Sequence, residues 1–139
     1  MPRLHSQVLS FVAFLLTLSL PSASEANDGP VPFTSDGCSA FPNGTLAQQT
    51  LWLECCTAHD LAYWQGGTYR ERLAADRELL QCVRRAGEPG VAMMMLVGVR
   101  IGGTPYLPTR FRWGYGWPYP RGYRALSEKE KNQLDNRKP

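Results

Sequence analysis

The sequence predicts a mainly α protein built on a disulfide-linked antiparallel helix pair, and three observations predict it. The run Leu53-Glu54-Cys55-Cys56-Thr57-Ala58-His59-Asp60-Leu61-Ala62-Tyr63-Trp64 sets Cys55, His59 and Tyr63 at i, i+4 and i+8, one stripe of a helix, beside the i, i+4 pair Cys56 and Asp60. A second helical stretch, 69–85, follows across the turn-forming Gly66-Gly67. The chain has 4 cysteines, an even set that reads as a disulfide framework in an exported protein.

Export is expected from residues 1–26. Arg3 and His5 precede the apolar run 8–20, and Ala23, Ser24 and Ala26 suit a signal peptidase. The run is shorter than the roughly 20 apolar residues that span a bilayer, so cleavage after Ala26 or Ser24 is expected, with the protein in an extracellular or periplasmic space. Residues 27–124 then form one domain with a modest core that bridges would reinforce, and 125–139 a charged C-terminal tail. A net charge of +3 with dispersed Arg and Lys gives no argument for nucleic acid and a weak one for anionic surfaces. A monomer is expected.

The elements follow in order. Residues 27–44 are rich in Gly, Pro, Ser and Asp, the chemistry of a looped arm; within it Asn43-Gly44-Thr45 has the form of a glycosylation acceptor. The first helix is expected over 48–64 with Thr45 placed to cap it, and the second over 69–85, stopped by Ala86-Gly87 and Pro89-Gly90. Segment 91–101, with Met93-Met94-Met95-Leu96-Val97, is apolar nearly all round, as a buried helix is; core packing and a ligand-contacting wall are both open to it. Residues 108–124 are too broken by Gly and Pro to be regular. There Trp113, Tyr115, Trp117, Tyr119 and Tyr123, interleaved with Arg, suit a membrane interface, the alternative being a cover folded back on the helices. Ser127-Glu128-Lys129-Glu130 has the form of a capping box, announcing a short exposed helix.

Neighbouring Cys55 and Cys56 cannot readily bridge each other, so each needs Cys38 or Cys82, which leaves two pairings. A Cys-Cys-x-x-His zinc site is the competing chemistry, disfavoured because every cysteine can pair. His59 and Asp60 diverge on the helix, so His59 needs a carboxylate from the second helix. An antiparallel register that allows Cys55 to meet Cys82 brings Asp76 level with His59 and leaves Cys56 for Cys38. Asp76 nevertheless lies about 120° around its helix from Cys82, whereas Glu78 lies on the Cys82 side. Spacing leaves the two carboxylates open, and Asp76 among Arg72, Arg77 and Glu78 also reads as part of a solvated face.

These residues resemble the secreted phospholipase A2 superfamily, in the motif Cys55-Cys56-Thr57-Ala58-His59-Asp60 followed by Tyr63, in Asp76-x5-Cys82 on the next helix, and in Cys38 in the preceding loop. The likeness covers roughly residues 36–82 and is closer to small microbial members than to disulfide-rich animal ones. It implies bridges Cys38 to Cys56 and Cys55 to Cys82, selects Asp76 over Glu78, and implies a phospholipase A2-type helix pair with a calcium-binding loop. It further implies a secreted, Ca²⁺-dependent hydrolase of the sn-2 ester of glycerophospholipids, acting at a membrane or micelle surface. His59 would be the general base, Asp76 its orienting partner and Tyr63 a donor to Asp76; Asp60 and the carbonyls of Gly37, Ser39 and Phe41 would hold Ca²⁺. The chain departs from animal members in the loop Gly37-Cys38-Ser39-Ala40-Phe41-Pro42, in Ala62 where they have Cys, and in leaving no room for their N-terminal helix. The alternative function keeps this scaffold without its chemistry, as a secreted membrane- or partner-binding module.

Overall fold

A computed structural model describes residues 28–139; the expected signal segment, 1–26, lies outside the described residues. The described residues form four helices and no strand: α1 (Leu53–Gln65), α2 (Tyr69–Arg85), α3 (Pro89–Gly102) and α4 (Glu128–Asp135). Helix α2 packs against both α1 and α3. Contacts that climb α1 descend α2, Cys55 meeting Cys82, His59 meeting Asp76 and Tyr63 meeting Arg72, so the two run antiparallel.

Helix α2 occupies the expected residues because both of its ends are written locally. Thr68 and Glu71 form a reciprocal capping box at its start, and Arg84 and Arg85 occupy the last turn, where cations complement the helix dipole. Helix α1 starts later than expected, at Leu53. Thr45 does accept a bond from the Gln48 amide, but it caps an isolated turn. Gly44 lies against the backbone of residues 48–51, where a Cβ would collide with the Gln48 carbonyl. Trp52, with its amide on the Asn43 carbonyl and its indole on the Pro42 carbonyl, fixes where the helix can begin. The Asn43 side chain is itself in use, accepting from the Cys38 amide at 2.8 Å.

The bridges are Cys38–Cys56 and Cys55–Cys82. With Trp52, Leu79, Val83, Ala92 and Met95 they form the main buried cluster, at the junction of α1, α2 and α3. Helix α3 differs from expectation: only Ala92 and Met95 are buried, while Met93, Met94, Val97 and Ile101 are exposed. Apolar composition marked both faces alike, but only one packs on α2.

The aromatic segment also differs from its membrane-interface reading. Trp113 and Trp117 are buried, and both indoles donate inward, to the carbonyls of Gly67 and Gln65. The reason lies in α1, whose last four carbonyls have no partner within the helix. The amides of Gly66, Gly114 and Gly116 serve the carbonyls of Ala62, Tyr63 and Trp64, and the Trp117 indole serves that of Gln65. So close a return requires glycine: a Cβ on Gly66, whose φ is +70°, would lie 2.8 Å from the Gly114 Cα. Of the other expected membrane contacts, Tyr123 accepts a bond from Arg72, Tyr115 donates to the Thr34 carbonyl, and Tyr119 stays at the surface.

The charged C-terminal residues carry the expected short helix, mostly exposed but packed on the domain through one residue. The Ser127–Glu130 capping box forms as read, and Leu134 is buried with Trp64 and Trp117. Glu130 pairs with Arg121 and Arg124.

Candidate active site

His59 and Asp76 meet in the buried seam between α1 and α2, Nε2 to Oδ1 at 3.0 Å. Asp76 has no exposed surface, and the Tyr63 hydroxyl donates to the same Oδ1 at 2.7 Å. Glu78, the competing carboxylate, is exposed. Both the Cys82 bridge and the Asp76 contact form although the two residues lie about 120° apart around α2, so the face α2 turns toward α1 rotates along its length, as it does when helices cross at an angle.

Burial opposes ionisation of Asp76. The hydrogen bonds from His59 and Tyr63 and the charges of His59 and Arg72 outweigh it, holding the carboxyl below its ordinary range. An ionised carboxylate only accepts, so in the neutral ring Nε2 of His59 is the protonated nitrogen and Nδ1 carries the lone pair. Nδ1 has no hydrogen-bond partner among the described residues, and His59 lines a cavity of about 490 Å³. Burial, followed by the nearby Asp76 charge, pushes the Tyr63 phenol up, which keeps it a donor.

The cavity has two chemically distinct sides. One is polar, formed by His59, Asp60 and the loop 34–41; the other is apolar, formed by Leu79, Met94, Met95, Val99 and Phe111. Gly37, Ser39, Phe41 and Asp60, the residues named from sequence as cation ligands, all line it. The Cys38–Cys56 bridge ties the loop to α1 one turn before Asp60. Ser39 adopts a left-handed conformation, φ 56°, rare for a residue with a side chain. The carbonyls of Gly37, Ser39 and Phe41 accept no hydrogen bond from the described residues, whereas that of Cys38 is taken by the Phe41 amide. Asp60 is half-buried, and burial pushes its carboxyl up, against the Ser35 hydroxyl bonded to it at 2.6 Å and the charge of His59.

Carbonyls without hydrogen bonds from the described residues, lining the same cavity as the Asp60 carboxylate, make up an all-oxygen donor set of the kind a hard cation takes. Zinc does not fit: both Cys55 and Cys56 are bridged, and among the described residues no three His, Cys, Asp or Glu side chains gather at ligating distance.

Two arginines at the dyad were not singled out from sequence. Arg72 is buried, donating to the Tyr63 and Tyr123 hydroxyls and to the carbonyls of Val99 and Arg100. Arg100 brings Nε within 2.6 Å of Asp76 Oδ2. The i, i+4 spacing of Arg72 and Asp76 was a legible signal for the first. The second was visible only as the lone charge in an otherwise apolar helix.

No family model, curated protein or solved structure matches this chain.

Proposed function

We propose that the chain is a calcium-dependent acyl hydrolase of the phospholipase A2 type, cleaving the sn-2 ester of glycerophospholipids after export. The observation that carries the reading is a histidine pinned by Nε2 to a buried carboxylate, its Nδ1 uncommitted, in a cavity with an acidic loop on one side and an apolar wall on the other. The two bridges agree with an oxidising compartment.

In this reading Nδ1 of His59 takes a proton from a water that attacks the ester, so no serine nucleophile is needed. Asp76 holds the ring in the required tautomer and stabilises the imidazolium that forms. Tyr63 keeps Asp76 in place. Asp60 and the carbonyls of Gly37, Ser39 and Phe41 would hold Ca²⁺. The chemistry a bound Ca²⁺ supplies there is charge stabilisation on the lipid phosphate and the ester carbonyl. The Ser39 amide, which donates to no other described residue, is available to the developing oxyanion. Helix α3 and Phe111 would supply the wall against which an acyl chain lies.

The membrane-facing surface is then the outer face of α3. Met94, Val97 and Ile101 are 62%, 52% and 74% exposed, and Phe111 and Arg110 stand at the same cavity. A binding module without catalysis is the second reading. It draws on carboxylates that already have partners, Asp60 with Ser35 and Asp36 with Arg110.

Vesicles carrying an sn-2-labelled phospholipid discriminate the two. Fatty acid is expected to be released only with calcium present, and chelator to stop it. Glutamates at Val97 and Ile101 together are expected to abolish vesicle binding while a soluble short-chain substrate is still cleaved. The enzyme reading fails if the wild-type protein binds vesicles but releases no fatty acid at millimolar calcium.

A further inference from the structure

We propose that Arg100 is a positioning residue for the dyad: its guanidinium holds Oδ2 of Asp76, reserving Oδ1 for His59 and Tyr63. The assignment rests on the hydrolase reading for its kinetic consequence, though not for its structural one.

The two oxygens of Asp76 are treated differently. Oδ1 receives His59 Nε2 at 3.0 Å and the Tyr63 hydroxyl at 2.7 Å. Oδ2 is buried and receives no hydrogen bond from the described residues; its neighbours among them are Arg100 Nε at 2.6 Å and, further away, Arg72 Nε at 4.0 Å. The Arg100 contact lies off the N–H direction, so it is an ion pair and not an aligned hydrogen bond. A buried carboxylate oxygen left without compensation is costly enough to drive rotation or protonation of the group.

Arg72 adds its charge at 4.0 Å but gives Oδ2 no hydrogen bond. Its Nε is on the Tyr63 hydroxyl and its terminal nitrogens on Tyr123 and on the carbonyls of Val99 and Arg100. Turning it toward Oδ2 would take from the Arg100 carbonyl its donor, although the Val99 carbonyl would keep the Gly103 amide. What Arg72 does instead is anchor the last turn of α3, and that turn presents Arg100. One arginine holds the backbone and the other closes on the carboxylate.

A plainer account is that Arg100 sits in the last turn of α3 to complement the helix dipole. A cation serving only the dipole would keep its head in water. Here the side chain is 36% exposed, yet its Nε is buried against a fully buried acid, in a helix whose other residues are uncharged. Arg100 does not line the cavity, so its influence on substrate must pass through Asp76.

The test has a spectroscopic arm and a kinetic arm. In the wild-type protein, nitrogen-15 NMR of the His59 ring, assigned with His59→Gln, is expected to show a single neutral tautomer protonated at Nε2. Arg100→Met is expected to give a mixture of tautomers, and Arg100→Lys to restore the single form. Arg100→Gln carries the same expectation as Arg100→Met should that variant not fold. In lipid hydrolysis Arg100→Met is expected to lower kcat about tenfold, the scale of losses for residues that orient a site ligand, with KM unchanged. In an Asp76→Asn background it should cost nothing further, because the effect runs through Asp76. A single Nε2-protonated tautomer in folded Arg100→Met or Arg100→Gln overturns the proposal, as does a kinetic loss that multiplies undiminished onto Asp76→Asn. Absence of hydrolysis in the wild type would sink the hydrolase reading alone, and the NMR arm would still decide the role of Arg100.

Discussion

His59→Gln is expected to lower lipid hydrolysis by at least about 10²-fold, the lower end of what a positioned general base contributes, while the protein keeps its fold and both bridges. Glutamine is close to imidazole in length, and its amide can still donate to Oδ1 of Asp76, so the buried carboxylate is not left bare. What is lost is the lone pair on Nδ1. Initial rates on sn-2-labelled vesicles, set beside a thermal melt and a non-reducing peptide map, check both halves. Retained turnover in a folded variant would remove His59 from the mechanism.

Asp60→Asn is expected to abolish calcium binding and calcium-dependent hydrolysis, and in chelator at neutral pH to leave the protein at least as stable as the wild type. The sign follows from the direction in which the fold moves Asp60. Burial first, against the Ser35 hydrogen bond and the His59 charge, raises this carboxyl above its ordinary value of 3.8. The contribution of a group so raised is fully present below the ordinary value and lost as pH rises through the higher folded one. At neutral pH the cation-free protein therefore carries Asp60 in its less favoured form, and asparagine relieves it. Calcium reverses the order: the wild type is expected to gain about 2.7 kcal/mol at a free concentration 100-fold above Kd, and the variant nothing. Paired melts with chelator and with calcium, together with calorimetric titration, read this directly. A variant that still binds calcium would move the cation away from Asp60.

Where structure is written locally, the sequence was enough to place it. Gly66-Gly67 breaks the first helix, Thr68 and Glu71 start the second, and Ala86-Gly87 ends it, so α2 lies on the expected residues. The seam of the site was legible too, because cysteines and acids at helical spacing permit few registers; spacing alone still left Asp76 level with Glu78. What was not legible depends on distant partners. The start of α1 is set by contacts of Trp52 with residues 42 and 43. Hydrophobicity reports that a face avoids water without reporting what it meets, so α3 read as buried on all sides. The aromatic segment was open to two readings, lipid anchor and folded-back cover, for the same reason: its tryptophans are bonded to carbonyls some fifty residues earlier, Trp113 to Gly67 and Trp117 to Gln65.

That last contact bears on when the site comes into being during synthesis. Until residues 113–117 emerge from the ribosome, the carbonyls of Tyr63, Trp64 and Gln65 lack the partners they have in the finished fold, and Tyr63, which braces Asp76, sits on that unfinished turn. A product ending before residue 113 would carry every residue of the motif, and both bridges, but lack the partners that finish the last turn of α1.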